Sequence, residues 1–253
     1  MKILNAEQMR LADQATMQHE PISSTDLMER AADRCVKRIL EEKPAADLEF
    51  WIFCGVGNNG GDGLVIARLL LALGFKVHTF ILEFSTNYSP DFNINLKRLR
   101  DQGYEPDFIR DASDCPDIPD SCWIIDAIFG TGLSRAPGGW LKEVIAQINR
   151  SPSRVISIDF PSGLFSEVPV EDPESIVKAS LTLTFQQPKL AFLLPSAYQF
   201  VGQWEVLDIG LSEDFIEQLE DCHELVDHQL ARQFLKQKGR FDHKGTAGHS
   251  LLM

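Results

Sequence analysis

From residue 50 to about 210 the chain alternates short apolar runs with longer stretches whose apolar residues recur at three- and four-residue intervals. The short runs predict strands at 50–54, Val77–Leu82, Cys122–Ile125, Val155–Ile158, Leu181–Phe185 and Trp204–Asp208. The amphipathic stretches predict helices at 63–74, Ser89–Gln102 and Trp140–Asn149, with a further one near 173–178. Ahead of this alternation, residues 6–19 and 24–42 read as two more helices. In the second, Leu27, Met28, Ala31, Ala32, Cys35, Ile39 and Leu40 share a face, and Ser24, Thr25 or Asp26 can cap its start. Buried strands alternating with helices define an α/β protein with a mostly parallel, doubly wound central sheet. No internal repeat or low-complexity tract interrupts the pattern.

In such a sheet ligands bind where loops leave the carboxyl ends of the strands. Three loops there carry unusual chemistry. The first, 55–63, contains five glycines between a buried strand and a helix. That arrangement binds phosphate readily, because N–H groups at a helix start attract anions. Gly55, Gly57 and Gly60 satisfy G-x-G-x-x-G, and Glu83 closes the next strand about where a ribose-binding acid stands in dinucleotide folds. Asp62 argues against that reading, since a carboxylate at a helix start repels a pyrophosphate. Asn58 and Asn59 add amide donors and acceptors beyond what a tight turn requires. The loop is therefore predicted to hold a polar ligand by side chains as well as backbone.

The second loop, 126–139, opens with Asp126 at the end of a buried strand and continues through Gly130-Thr131-Gly132. The third, Asp159-Phe160-Pro161-Ser162-Gly163, follows the buried strand 155–158. Carboxylates, amides and hydroxyls converging on one crevice can bind a cation and leave one acid for proton transfer. Asp13 and Glu29 could also reach the crevice, although isolated acids on amphipathic helices are more often solvated.

Composition narrows the classes. The 253 residues suffice for one large α/β domain, or one domain and a piece of another. A net charge of −13 and a pI near 4.9 speak against nucleic acid or an anionic membrane as the main partner. No stretch approaches the ~18 apolar residues of a membrane span, and no basic segment leads into an apolar core at the start, so no secretory signal is visible. Cys35, Cys54, Cys115, Cys122 and Cys222 are scattered without a C-x-x-C pair, which suggests neither zinc nor a disulfide framework. A soluble, cytoplasmic protein is expected. Between 205 and 230 there are nine acids and no Lys or Arg. From 231 to 244, Arg232, Lys236, Lys238, Arg240 and Lys244 face only Asp242. This change of sign marks a boundary, with one domain over 1–230 and a separate segment over 231–253.

Taken together, the loop Gly57-Asn58-Asn59-Gly60-Gly61-Asp62-Gly63, the stretch Asp126-Ala127-Ile128-Phe129-Gly130-Thr131-Gly132-Leu133, and Ile158-Asp159-Phe160-Pro161-Ser162-Gly163-Leu164 resemble the YjeF-type N-terminal domain, the NAD(P)H-hydrate epimerase family. Leu27-Met28-Glu29-Arg30-Ala31-Ala32, Thr182-Leu183-Thr184-Phe185 and Pro188-Lys189 are similar to it as well, so the likeness covers roughly 1–212. The resemblance implies a Rossmann-like three-layer α/β/α sandwich, a bound potassium ion, and interconversion of the R and S hydrates of NADH and NADPH. It implies that Asn58, Asn59, Gly60, Gly61, Asp62, Gly130, Thr131, Gly132, Leu133, Ser134, Arg135, Ala136 and Asp159 line the substrate site. Asn59, Asp126 and Ser162 would hold the potassium. The expected partners are NADHX or NADPHX and a second copy of the chain in a dimer, with no nucleic acid and no membrane.

The hydrated carbon is a hemiaminal, so its inversion needs loss and return of hydroxide, or ring opening and closure. Either is acid–base work, for which Asp159 is the candidate catalytic group. Asp126, engaged by the cation, and Asp62, at a helix start, are expected to stay ionised. Two positions depart from the family. Animal members carry a lysine where this chain has Ser134-Arg135, and arginine does not readily give up a proton. Phe165 stands where relatives often have an aspartate, and 166–175 reads as a flexible acidic loop. The tail 242–253 resembles the opening of the ribokinase-like NAD(P)H-hydrate dehydratase, which suggests a piece of a bifunctional protein or a vestigial tail; His243 and His249 read as solvated. Two other functions stay open. One is a ribokinase-like phosphotransferase using Gly60-Gly61-Asp62-Gly63 as anion hole and base, although that class carries its motif late in the chain. The other is a non-catalytic nucleotide-binding module.

Overall fold

Why each strand is buried on both faces follows from the side chains that alternate along it. In β2 (Glu49–Cys54) Phe50, Ile52 and Cys54 join one core cluster, while Trp51 and Phe53 join another. The computed structural model describes residues 1–133, 135–166, 170, 172–220, 223–226 and 228–234. In chain order it opens with β1 (Lys2–Ile3), α1 (Ala6–His19) and α2 (Ser24–Glu41), followed by β2. Then come α3 (Asn58–Ala72), β3 (Lys76–Leu82), α4 (Pro90–Asp101), β4 (Asp107–Ile109) and β5 (Trp123–Ala127). The remainder is α5 (Trp140–Arg150), β6 (Arg154–Ile158), β7 (Leu181–Phe185), α6 (Tyr198–Val201), β8 (Gln203–Leu207), α7 (Glu213–Gln218), β9 (His223–Glu224) and α8 (His228–Phe234).

The seven-stranded sheet has the order β4-β3-β2-β5-β6-β7-β8, and every pair in it is parallel. Helices α2, α3 and α4 pack together on the face carrying Phe50, Ile52, Ile125 and Ile156. Helix α5 covers the opposite face through Val144, Ile145 and Ile148 against Phe53, Phe80 and Ile124. This is the expected three-layer α/β/α sandwich. Chain order runs outward from β2 to β4 on one side and from β5 to β8 on the other, so the switch point lies between β2 and β5. The loops after β2 and β5 leave the sheet there, and the loop after β6 lies one strand away.

Several expectations need correction. The helix expected at 63–74 begins at Asn58, so most of the supposed loop 55–63 is helical. Its glycines do not break the helix because they pack where no side chain fits. A Cβ on Gly60 would lie 1.9 Å from the Gly55 carbonyl oxygen, and one on Gly63 would lie 2.7 Å from both Ala127 Cβ and Cys54 Sγ. Tertiary contact has overridden propensity. Near 173–178 there is only a short 3₁₀ turn, Pro173–Ser175, with Asp172 capping it. Six short elements, β1, β4, α6, α7, β9 and α8, carried too few residues for a periodic signal. The β1–β9 pairing joins Lys2 to Glu224, and the Lys2 ammonium donates to the carbonyls of Glu217 and Leu219. The segment up to 226 therefore packs back on the beginning of the chain. Of the tail, 235–253 lies outside the described residues, as do Ser134 and residues 167–169 and 171 of the loop after β6.

Candidate active site at the switch point

The start of α3 is shaped by what is missing from it. Gly57 precedes the helix without a capping side chain, and the first turn has no acid. The N–H groups of Asn58, Asn59 and Gly60 have no helical carbonyl to bond, and Asn58 lines the crevice, which makes this end of the helix favourable for an anion. Asp62 sits one turn further in, so its charge does not occupy the helix mouth as expected. Gly60 and Gly61 are buried packing positions, and a Cβ on Gly61 would lie 2.8 Å from Met28 Sδ. Glu83, weighed as a ribose ligand, is held by the Tyr88 hydroxyl and the Arg110 guanidinium.

A cavity of about 280 Å3 opens beside α3. Asn58, Asp62, Thr131 and Asp159 of the expected site line it. So do Asp13 and Arg10 of α1, Asp91 of α4, and Lys189, to which the sequence assigned no part in a site. Asp13 stood out only as one acid on an amphipathic helix, and the facing partner that gives it meaning comes from residues 146 and more positions away. Glu29, its companion in that reading, pairs instead with Arg68 and Arg98. Gly132, Arg135 and Ala136 are exposed and do not line the cavity, and Leu133 is half-buried outside it. Gly130 approaches the site from the other side: a Cβ there would stand 3.2 Å from Asp159 Oδ2 and 3.5 Å from Asn59 Cβ.

The acids differ sharply in environment. Burial pushes the Asp62 carboxyl well above the usual carboxylate range, and the nearby charges of Asp159, Asp13 and Asp91 push the same way. These influences favour the protonated form of Asp62 over the ionised form expected of an acid at a helix start, with desolvation opposing the helix dipole. Asp13 is pushed up to about 6, first by burial and then by Asp159, with Lys189 opposing. Asp159 lies 3.5 Å from the Lys189 ammonium and accepts from the Thr184 hydroxyl at 3.4 Å. Asp126 is 0% exposed, yet both oxygens are served. Oδ2 accepts from the Ser157 hydroxyl at 2.7 Å and the Ser162 N–H at 2.9 Å. Oδ1 accepts from the Ser162 hydroxyl and from the Ile128 N–H at 3.3 Å. Burial pushes Asp126 up, while these hydrogen bonds pull it back.

Asn59 contrasts with Asp126. It is 8% exposed, and neither its amide oxygen nor its nitrogen finds a partner among the described residues. An orphaned buried amide is costly unless something else binds it.

Parallel strands in this order, with ligand loops at the reversal, place the molecule among the Rossmann-like α/β proteins. Residues 24–191 match the model of the family described as YjeF-related protein N-terminus, and the chain belongs to that family. It is 38% identical over 220 residues to the NAD(P)H-hydrate epimerase of Anaerococcus prevotii, an alignment covering 85% of this chain and 98% of that one. It is 31% identical over 257 residues to the bifunctional NAD(P)H-hydrate repair enzyme Nnr of Moorella thermoacetica, covering 99% of this chain and 48% of that protein. The chain thus spans about half the length of its bifunctional relative. The crystal structure of the yeast protein YNL200c superposes with a TM-score of 0.68 at 18% identity, covering 86% of this chain and 93% of that one, and shares its fold.

Proposed function

We propose that the chain is an epimerase that interconverts the R and S forms of NAD(P)H hydrate in nicotinamide nucleotide repair. The observation that carries this is one cavity holding a buried acid whose surroundings favour its protonated form, Asp62, and a second acid paired with an ammonium, Asp159, in a family whose relatives are named for that reaction. Loss of water from a hemiaminal breaks its C–O bond, with a proton delivered to the departing oxygen while the ring nitrogen's lone pair forms a C=N⁺ bond. Asp62 has the proton to give. When water adds to the other face, the new C–O bond forms and Asp159 takes the proton released. The reverse reaction exchanges the two roles, and proton exchange between the acids restores the starting state. Ring opening and closure would use the same pair. A cavity of about 280 Å3 accommodates a ring-and-ribose fragment rather than a whole dinucleotide. The remaining phosphates would extend past the open N–H groups of α3.

A potassium ion fits the residues expected to hold it. Asn59 offers an unpaired amide oxygen, and Ser162 Oγ accepts only the Phe129 N–H at 2.8 Å, which leaves a lone pair. Asp126, whose oxygens already accept four hydrogen bonds, would contribute charge more than a ligand atom. When bound, such a cation supplies a fixed positive charge beside the substrate loops. Rubidium or thallium soaked into crystals should scatter anomalously beside these side chains, and a peak elsewhere would remove the ion from this site. The reading also includes a homodimer working in the cytoplasm, and residues 231–253 as the linker and opening of a dehydratase unit, supported by an alignment covering 99% of this chain. Among the described residues no helix is long and apolar enough to cross a membrane.

The deciding experiment supplies mixed NADHX epimers and a stereospecific dehydratase, and follows NADH. With the chain present, all of the hydrate should be recovered; without it, only the epimer the dehydratase accepts. Binding without extra recovery would mean a nucleotide-binding module, and ATP consumption with small acceptors a phosphotransferase.

A further inference from the structure

Strands β6 and β7 end in the same unusual way. At each tip a residue other than glycine adopts positive φ, Asp159 at 62° and Gln186 at 55°. At each tip the next N–H folds back two residues: Phe160 N–H to the Ile158 carbonyl at 2.7 Å, and Gln187 N–H to the Phe185 carbonyl at 2.6 Å. Three-residue turns of this hand are rare and strained, and persist only where the surroundings hold them.

Lys189 lies across the pair. Its ammonium donates to the Phe185 carbonyl at 3.1 Å and the Gln187 carbonyl at 3.0 Å, which flank Gln186. Its third neighbour is Asp159 Oδ1 at 3.5 Å. Of the three donors of the ammonium, two are taken by these carbonyls, and the remaining acceptor beside it is the Asp159 carboxylate. The residue is 2% exposed, and a buried ammonium is tolerated only when paired and hydrogen-bonded.

The two oxygens of Asp159 are consequently unequal. Oδ1 faces Lys189 and the Thr184 hydroxyl. Oδ2 faces Gly130, on the second ligand loop, and among the described residues no hydrogen bond holds it.

We propose that Lys189 is a positioning residue for Asp159: clamped between the two strand-end turns, it fixes Oδ1 and leaves Oδ2 to exchange the proton with the substrate oxygen. Arg135 is exposed and outside the cavity, so the positive charge beside Asp159 is that of Lys189. The proposal rests on the epimerase reading. It assigns Lys189 no contact with substrate, so its removal should act on turnover and not on binding.

The test uses the full chain at saturating potassium chloride, measuring kcat and KM for epimer interconversion. Lys189→Ala should lower kcat by about 10²-fold, the scale of misplacing a reacting group, with KM changed less than about threefold. Methylammonium, which can enter the vacated space and donate hydrogen bonds, should restore part of kcat. Tetramethylammonium, which has no N–H, should not. A purely structural lysine would show no such difference between the amines. If Lys189→Ala does not fold, Thr184→Val carries the test: it removes the other contact to Oδ1 and should lower kcat by about 3- to 10-fold at unchanged KM. A folded Lys189→Ala chain with normal kcat, a loss confined to KM, equal effects of the two amines, or an unaffected Thr184→Val overturns the proposal. An inactive wild-type chain would instead overturn the epimerase reading, so the two failures are distinct.

Discussion

Strands β5 and β6 lie side by side, and each has an aspartate at its carboxyl end, Asp126 one residue before the end of β5 and Asp159 just after β6. The two tips are built differently. Asp126 accepts four hydrogen bonds from Ser157, Ser162 and Ile128, and its carboxylate has no oxygen left over. Asp159 sits in a strained turn, braced on one oxygen and open on the other. A fully satisfied buried polar group rigidifies its surroundings, whereas a partly satisfied, strained one is what a site of chemistry contains. Sequence position alone makes the two acids look equivalent; their hydrogen-bond partners separate a fastener from a working group.

Both tips meet the beginning of α3, so the largest disruption should come from moving that helix. Gly60→Ala would place Cβ 1.9 Å from the Gly55 carbonyl oxygen, and its three nearest neighbours are all backbone atoms of Gly55, with no flexible side chain to yield. It should cost roughly 3 kcal/mol or more, or prevent folding. Gly57→Ala meets nothing within 4 Å and has an ordinary φ of −94°, so it should stay within about 0.5 kcal/mol of wild type. Urea unfolding of the two variants measures the contrast, and equal effects would show that α3 does not pack as described.

Exchanging the two aspartates' fates is the sharper test. Asp126→Ala leaves two serine hydroxyls and two N–H groups without their acceptor, and should cost about 3–5 kcal/mol of stability. Asp159→Asn keeps an acceptor at Oδ1 but removes the charge facing the buried Lys189 ammonium. It should cost about 1–3 kcal/mol, less than Asp126→Ala, and lower epimerase turnover by about 10²-fold or more, with little change in substrate binding. Near-normal turnover in Asp159→Asn, together with loss in Asp62→Asn, would move the main role to Asp62.

Much of this was legible in the sequence because it depends on local order. The apolar runs at 50–54, 155–158 and 181–185 matched strands almost residue for residue, and their sheet was read as parallel from the alternation alone. The segments after the strands at 50–54, 122–125 and 155–158 do leave the carboxyl edge of the sheet, although the first of them is mostly helical. What was not legible depends on distant partners. The helical start at Asn58 requires knowing that Gly60 lies against Gly55 and Gly61 against Met28. The upward shift of Asp62 requires knowing that it is buried, with Asp159, Asp13 and Asp91 near it. Lys189 entered the sequence reading only through the Pro188-Lys189 resemblance and with no part in a site, since only the fold brings its ammonium to Asp159.

The smallest expected effect concerns Asp13, which belongs with Asp159 in kind: it faces the cavity and its partners are charges rather than donors. Its carboxyl rises from 3.8 to about 6, chiefly through burial and then through Asp159, against the pull of Lys189. In the unfolded chain it ionises near 3.9, so between about pH 4 and 6 the folded protein keeps a proton that the unfolded chain has released. The sign follows directly. The stability from this group is fully present below pH 4 and is lost as pH rises through 6, and Asp62, whose shift has the same direction, adds to the trend. Asp13→Asn removes one of these titrations while keeping the shape of the side chain. It should match wild type near pH 4 and be more stable by roughly 1–3 kcal/mol at pH 7.5. Urea unfolding of both proteins across that range reads the difference directly. A gap that does not grow with pH would mean that Asp13 stays ionised in the folded chain. The acid cluster would then reduce to Asp62 and Asp159.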